Sequence, residues 1–416
     1  MWDPYAEFQS ATLPNGLMVY AAYWPRPWEA MGFLIHSGAE YDPIGLEGIS
    51  HFLEHLVSEN AIVQKEIIEA FFEDCGGRVH LGVTSYPSTY YRFFVPIDKT
   101  ILSKAFSIFG HMLLSAKIER YVERERQTVI NEFRHRYPLK FQFDIDTREH
   151  KALYRGHWLE RFTRPLGNPE SVSRIKQNDL QLYYDMYYTP ANMSIVGVGG
   201  LQLSEIIDLL SESPFAINKK GVRTLLPIPD IDVTPPLETR YVFEMSKHIV
   251  APMEVGVYRS VAKIPGNING RAVRIIKEML IEVLNEEIRE RRAWAYAINV
   301  SQHNFREFHE FSISCDSLAL KAINHIEEVI EACIASISDR EDLFERIKHR
   351  ALASNFMIDE TAKYVCDDVL DDLATYQRII TLEEMQEDLE QVTMNDIKDI
   401  LQWLRPERRW TLIMRP

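Results

Sequence analysis

Apolar and polar positions in the first half of the chain predict short strands that alternate with helices. Runs rich in β-branched and aromatic residues favour strands, and they occur within 13–20 (a Pro-Asn-Gly turn followed by a strand) and at 32–37, 83–95 and 193–198. Apolar residues spaced three and four apart favour helices, and they cover 62–72, 101–116, 120–136 and 179–187. Another helix begins near Ile49, and Ser50 is a candidate cap for it.

The same order of elements recurs in the second half. Strand patterns cover 240–243, 253–258, 295–301 and 311–315, a long helix covers 271–292, and further helices precede a final apolar run at 409–414. Between the halves, 217–238 is rich in proline and has no helical pattern, which is typical of a linker.

These patterns predict an α+β protein with two similar domains. Each domain is expected to be an α/β sandwich, in which an antiparallel-rich sheet packs against helices. The predicted boundaries are 1–216 for the N-terminal domain, 217–238 for the linker and 239–416 for the C-terminal domain. Residue identity between the halves is low, so the similarity is one of pattern.

Composition and charge exclude some classes of protein. Hydrophobic residues make up 46% of the 416 residues, which permits real cores, and the formal charge of −15 argues against a nucleic-acid ligand. No apolar run is long enough to span a bilayer, and the N-terminus lacks the pattern of a signal or transit peptide. We therefore expect a cytoplasmic protein without membrane contact. The four cysteines lack metal-binding spacing and are expected to be reduced thiols.

The segment His51-Phe52-Leu53-Glu54-His55 is the strongest chemical signal in the sequence. Two histidines four apart project from one face of a helix and can share a metal ion, with Glu54 beside them. Imidazole is a good zinc ligand, and H-x-x-E-H is the inverzincin motif of zinc peptidases. A catalytic zinc usually has three protein ligands, so two histidines leave the site incomplete. The alternative is a helix whose histidines only pack or form hydrogen bonds.

Acidic residues in the predicted helix 120–136 are candidates for the third ligand. Glu125 and Glu132 are seven apart and share a helix face, so Glu132 could bind the metal while Glu125 orients a histidine. Spacing alone does not choose Glu132 over Glu123, Glu125 or Glu149, and charged helix faces are usually just solvated.

The first half of the chain resembles the pitrilysin/insulinase family of inverzincin zinc metallopeptidases, in particular the branch of short two-domain subunits that includes the mitochondrial processing peptidase. The shared features include Leu-Pro-Asn-Gly at 13–16, Gly48, Gly-Gly at 76–77, Tyr-Tyr at 90–91, Glu-Arg at 125–126 and Thr-Pro-Ala-Asn at 189–192. The resemblance implies that His51, His55 and Glu132 bind one zinc ion per chain. It also implies that Glu125 supports a histidine and that Glu54 is the general base on a zinc-bound water.

The second half resembles the family in the segment 288–296, which follows its Leu-Arg-x-x-x-x-Leu-x-Tyr pattern. The resemblance implies that Arg289 and Tyr296 bind substrate and stabilise the developing oxyanion, since both side chains donate hydrogen bonds. Without the resemblance, Arg289 is one more charged residue of a charged helix, and Tyr296 is an ordinary aromatic residue of a strand. Ala293 replaces the glycine of that pattern. His80 begins the pair that replaces the family's Asn-Ala, so His80 is a candidate substrate contact or is simply exposed.

The resemblance also implies an assembly. In that family, two two-domain halves close like a clamshell around a chamber, with zinc in one half and the Arg/Tyr pair in the other. This chain corresponds to one half but carries both features, so we predict a homodimer, with a heterodimer with a related subunit as the alternative. The expected activity is that of a zinc metalloendopeptidase acting on peptides or unfolded segments. The alternatives are a maturation peptidase dedicated to one small precursor peptide, and a non-catalytic peptide-binding subunit.

Overall fold

The structure is a computed structural model that describes residues 3–59, 64–217, 219, 221–223, 233–245, 255–354 and 361–416. The chain forms two compact units, each assembled from three segments. Unit 1 comprises Met1–Lys140, Arg161–Pro227 and Asp359–Leu382, and unit 2 comprises Phe141–Glu160, Ile228–Ile358 and Glu383–Pro416. The predicted linker lies partly outside the described residues, and a division of the chain at 217–238 stays a prediction.

The sheet of unit 1 has six strands among the described residues: β1 (Gln9–Thr12), β2 (Met18–Tyr23), β3 (Trp28–Ile35), β4 (Arg78–Thr84), β5 (Thr89–Pro96) and β6 (Met193–Gly199). Their order is β1-β2-β6-β3-β5-β4, and only the pair of β2 and β6 is parallel. The single strand predicted at 83–95 was wrong, because a turn closed by Ser85 and Ser88 separates β4 from β5. In the strand order, β4 forms one edge of the sheet.

The α-helices of the described residues include the predicted ones, together with three in the first half, at 140–153, 169–174 and 203–211, that were not predicted. They are α1 (Ile49–Ser58), α2 (Lys65–Asp74), α3 (Lys99–Leu114), α4 (Val122–Arg136), α5 (Lys140–Leu153), α6 (Pro169–Arg174), α7 (Gln177–Tyr187), α8 (Leu203–Ser211), α9 (Gly270–Leu284), α10 (Ile326–Ser336), α11 (Glu341–Ser354), α12 (Ala362–Thr375), α13 (Leu382–Glu390) and α14 (Met394–Leu401). A π-helical segment, Asn285–Arg291, continues α9. None of these helices is both long and apolar enough to cross a membrane.

The core of unit 1 lies on one face of its sheet. Alternate side chains of β3, among them Phe33, point into this core, where α1 and α3 also bury their apolar residues. The opposite face of β3 is covered by α12. A Cβ atom on Gly32 would lie 2.5 Å from Leu370 of α12, so the helix packs directly against the strand backbone.

Unit 2 repeats the sheet plan of unit 1. Its strands are β7 (Arg240–Glu244), β8 (Val255–Pro265), β9 (Asn299–Asn304), β10 (Phe308–Ala319) and β11 (Arg409–Arg415), in the order β7-β11-β8-β10-β9. Only β7 and β11 run parallel, as β2 and β6 do in unit 1. The order therefore matches β2-β6-β3-β5-β4 strand for strand, and the prediction of two similar sandwich domains is confirmed.

Each unit takes one helix from the other half of the sequence. In unit 1 this helix is α12, described above. In unit 2 it is α5, whose Asp146 and Glu149 form ion pairs with Arg259 of β8 at 2.8 and 2.7 Å. Phe141 of α5 also stacks on Phe243 of β7 at 4.9 Å between ring centroids. The two units are therefore interleaved in sequence.

Candidate metal centre

Helices α1 and α4 bring the two histidines of the motif together with Glu132. Glu132 Oε2 lies 3.4 Å from His51 Nε2 and 3.6 Å from His55 Nε2. One donor atom from each of the three residues lies within 4.8 Å of the other two. Ligand atoms about 2.0–2.1 Å from a tetrahedral zinc lie roughly 3.4 Å apart, so the spacing suits this metal.

The chemistry of the donor set also fits zinc. His51 is buried, and burial, followed by the neighbouring His55, lowers the pKa of His51 to about 4, which keeps its ring neutral as a ligand must be. The Nδ1 atom of His51 has no hydrogen-bond partner among the described residues. Hydrogen bonding to His55 holds the pKa of Glu132 down to about 2, so its carboxylate is ionised.

Glu125 lies behind His55, where it supports the ring. Its Oε2 atom is 3.5 Å from His55 Nδ1, and its Oε1 atom accepts a hydrogen bond from Arg124 Nε at 2.8 Å. Burial lowers the pKa of His55, but the carboxylates of Glu125 and Glu132 outweigh it and raise this pKa to about 9, so the ring would release a proton on binding zinc. Of the acids left open by sequence spacing, Glu123 is paired with Arg126 on the exposed side of α4. Glu149 belongs to unit 2.

The start of α1 is fixed by the loop before it. Gly48 is the N-cap, in the left-handed region (φ 95°), and Ser50 makes no capping hydrogen bond, so that prediction was wrong. The buried carboxylate of Asp42 instead accepts hydrogen bonds from the backbone N–H groups of Gly48 (2.6 Å) and Ser50 (3.2 Å). A Cβ on Gly167 would lie 2.1 Å from the Glu47 carbonyl oxygen, so a second glycine is needed beside this cap.

Glu54 projects from α1 toward β4. Its Oε2 atom accepts a hydrogen bond from Thr84 Oγ1 at 3.0 Å, and burial raises the pKa of Glu54 to about 7. A Cβ on Gly82 would lie 2.3 Å from Glu54 Oε1, so the absence of a side chain at Gly82 makes room for the carboxylate. The register of β4 shifts between His80 and Val83. This shift brings Gly82 and Thr84 to Glu54. Sequence reasoning missed Gly82 and Thr84, although the Thr-Ser pair at the start of the run 83–95 could have drawn attention to them.

The remaining predicted site residues lie elsewhere. In unit 2, the guanidinium of Arg289 lies 5.0 Å from the ring centroid of Tyr296, and Tyr296 is 79% exposed. Ala293 between them has a φ of 51°, a left-handed conformation that glycine adopts readily. In unit 1, His80 is exposed on β4 and pairs across the sheet with Arg92. Its role as a substrate contact stays a prediction.

Two sequence profiles of one peptidase family match this chain. The profile of the insulinase family, peptidase family M16, matches residues 19–164, and the profile described as the peptidase M16 inactive domain matches residues 174–351. The chain belongs to the M16 family of peptidases. The resemblance seen in the sequence is thereby confirmed.

Individual relatives are distant. The chain is 24% identical to a probable mitochondrial-processing peptidase subunit beta of Arabidopsis thaliana over 205 residues, which are 49% of this chain and 38% of that protein. It is 27% identical to the probable zinc protease PqqL of Escherichia coli over 210 residues, 48% of this chain and 22% of that protein. The matched region is thus less than half the length of these relatives.

Solved structures share the fold over nearly the whole chain. A protease from Helicobacter pylori superposes with a TM-score of 0.80 at 17% identity, covering 98% of this chain and 99% of that one. The peptidase M16 inactive domain from Pseudomonas fluorescens gives a TM-score of 0.81 at 14% identity, covering 98% of both chains. At such identities the likeness establishes the two-domain fold alone.

Proposed function

We propose that this protein is a zinc metalloendopeptidase that hydrolyses peptides or unfolded segments. The observation that carries the proposal is the meeting of donor atoms from His51, His55 and Glu132 beside the buried carboxylate of Glu54. Three protein ligands with an adjacent base are the composition of a catalytic zinc site. A purely structural role for the two histidines would not need a third donor at ligand distance.

The roles of the side chains follow from their positions. Zinc, when bound, supplies a Lewis acid that lowers the pKa of water and polarises the substrate carbonyl. Glu54 accepts the proton of the attacking water and returns it to the leaving amine nitrogen, a task for which a pKa near neutrality is well matched. Thr84 holds the Glu54 carboxylate in place. Glu125 orients His55 by its contact with Nδ1.

The proposal includes an assembly. Arg289 and Tyr296 are adjacent in unit 2 and could donate hydrogen bonds to the oxyanion and the substrate backbone. We propose that they complete the metal centre of a second copy of the chain, in a homodimer that encloses a chamber. The similarity to a mitochondrial-processing peptidase subunit beta supports a paired arrangement. A closed chamber would admit extended peptides and exclude folded proteins.

The first experiment is zinc analysis of the purified protein together with a peptidase assay on a mixed peptide library. We expect about one zinc per chain, cleavage that stops with a chelator, and recovery when zinc is returned. The Glu54→Gln variant should keep its zinc and lose cleavage by several orders of magnitude, because it cannot accept a proton. The matched control is Glu123→Gln on α4, an acid whose side chain is 78% exposed, which should cleave normally. Turnover by the Glu54→Gln variant would overturn the assignment.

A non-catalytic, peptide-binding subunit is the second candidate. It is favoured by the description of the profile that matches residues 174–351, an inactive domain. The same assay separates the two functions. A protein that binds zinc and peptides but cleaves nothing, alone or mixed with a related subunit, would support the second candidate and reject the first.

A further inference from the structure

Unit 1 contains a small cavity on the α12 face of its sheet, opposite the face that carries α1. Its volume is about 210 Å³. Four residues with basic side chains line it: Arg78 and His80 on β4, Arg92 on β5 and Lys363 on α12. None of these residues belongs to the metal centre.

The charge of the cavity is positive in a protein whose formal charge is −15. Asp367 of α12 also lines the cavity, and it pairs with both Arg92 and Lys363, the latter at 3.1 Å. Arg78 has no ion-pair partner in the part of the chain that the structure describes. With His80 neutral, three cations face one carboxylate, which leaves a net charge of +2. Two further acids of α12, Asp368 and Asp371, lie outside the lining, although the charge of Asp371 also acts on Arg92.

The rest of the lining is apolar and includes Ala30, Phe94 and Cys366. A cationic rim above an apolar floor suits a ligand with a carboxylate at the end of a short apolar stem. The volume has room for one side chain rather than for a large cofactor. The ligand chemistry that fits all three properties is the side chain of glutamate.

We propose that this cavity is a specificity pocket for an acidic side chain of the substrate peptide. The proposal rests on the function proposed above, since it assumes a peptide at the metal centre. β4 is an edge strand that joins the two sites, because Gly82 and Thr84 contact Glu54 on one face of the sheet while His80 lines the cavity on the other. These positions are two to four residues apart, or roughly 7–13 Å along a strand. An extended peptide along this edge would present successive side chains to both faces. The acidic residue should therefore lie about two to four positions from the scissile bond of an extended peptide.

The test uses binding rather than turnover. Labelled peptides that carry one glutamate, moved stepwise along an otherwise neutral sequence, are titrated into the zinc-loaded Glu54→Gln protein and followed by fluorescence anisotropy. Each glutamate peptide is compared with a peptide of the same sequence in which glutamine replaces the glutamate. We expect the glutamate peptide to bind roughly ten-fold more tightly at one or two positions only, as two or three partly exposed charge contacts would give. If the wild-type protein cleaves nothing, the proposed function fails, but this binding measurement still reports on the pocket.

Variants connect the preference to the cavity. In the double variant Arg78→Gln with Lys363→Gln, the dissociation constant of the glutamine peptide divided by that of the glutamate peptide should fall to about one. The matched control, Lys99→Gln with Arg120→Gln, removes the same charge from exposed positions of unit 1 and should keep the ratio. As a second variant, Lys363→Glu lowers the formal charge of the lining from +2 to zero and should likewise abolish the preference for glutamate. The proposal is overturned if the glutamate and glutamine peptides bind equally at every position, or if the preference for glutamate survives the double variant. It is also overturned if free glutarate binds but no peptide shows a preference for glutamate.

Discussion

The hydrogen bond from Thr84 fixes the direction of the Glu54 carboxylate, and its removal should weaken catalysis specifically. Thr84 Oγ1 is 3.0 Å from Glu54 Oε2. Hydrogen bonds to charged groups contribute about 1.5–3 kcal/mol, so Thr84→Val should lower kcat about 10- to 100-fold. KM and zinc content should stay near their wild-type values, because Thr84 is not a ligand. Thr84→Ser keeps the hydroxyl and should restore most of kcat; equal losses in both variants would point to a packing role instead.

Glu29 on β3 gives the protein a pH-dependent stability unrelated to catalysis. It is fully buried, one oxygen accepts a hydrogen bond from the Leu201 N–H, and burial raises the pKa of Glu29 from 4.5 to about 8. Between these values the folded state keeps a proton that the unfolded state releases, so stability falls as pH rises from about 4.5 to about 8. The loss from this group is on the order of 5 kcal/mol.

The Glu29→Gln variant tests this assignment. Glutamine cannot ionise, so its advantage over the wild type should grow with pH across that interval and level off above it. Urea unfolding at several pH values measures the difference. A difference that is constant with pH would show that the carboxyl group of Glu29 titrates alike in the folded and unfolded states.

At the scale of single residues, the sequence predicted what local spacing determines. His51, Glu54 and His55 follow from one helical turn, whereas the choice of Glu132 came from family resemblance. Only the fold shows that Glu149 faces Arg259 in unit 2. Thr84 was missed because its contact with Glu54 depends on a register shift in β4, which no local pattern reveals.

At the scale of elements, the turn that ends the π-helical segment Asn285–Arg291 is strained by Ala293. Its φ of 51° costs an alanine about 1–2 kcal/mol. Glycine removes this strain but loses about 0.5–1 kcal/mol, because the entropy of its unfolded state is larger. Ala293→Gly should therefore raise the free energy of unfolding by about 0.5 kcal/mol, measurable by urea unfolding. Ala293→Val should destabilise the protein, since β-branched residues rarely adopt this conformation. The opposite order would mean that the backbone at 293 is not left-handed.

The arrangement of elements was predictable except where the chain crosses between units. Strand and helix patterns recur in the two halves, and the two sheets do share their order. The exchange of α5 and α12 was not visible, because an amphipathic helix does not specify which sheet it covers. The β4–β5 hairpin was read as one strand because Tyr, Thr, Phe and Val dominate 83–95, although Ser85, Pro87 and Ser88 within that run mark the turn.

At the scale of the whole molecule, the homodimer proposal makes a prediction about mixed variants. Glu54→Gln removes the base, and Arg289→Ala with Tyr296→Phe removes the donors of unit 2, so each protein alone should be inactive. If the donors act on the metal centre of the partner, a mixed dimer has one site with both Glu54 and intact donors. Random exchange puts half of the dimers in mixed form, so the mixture should recover about a quarter of wild-type activity.

The control for this experiment is the state of assembly. Light scattering on the same samples should show a dimer for the wild type and both variants, with zinc content unchanged, since none of the altered residues is a ligand. A monomeric active species, or a mixture that stays inactive after subunit exchange is verified by mass, would place the donors in the same chain as the metal. Recovery above the activity of either parent can arise only if one chain supplies Glu54 and the other supplies Arg289 and Tyr296.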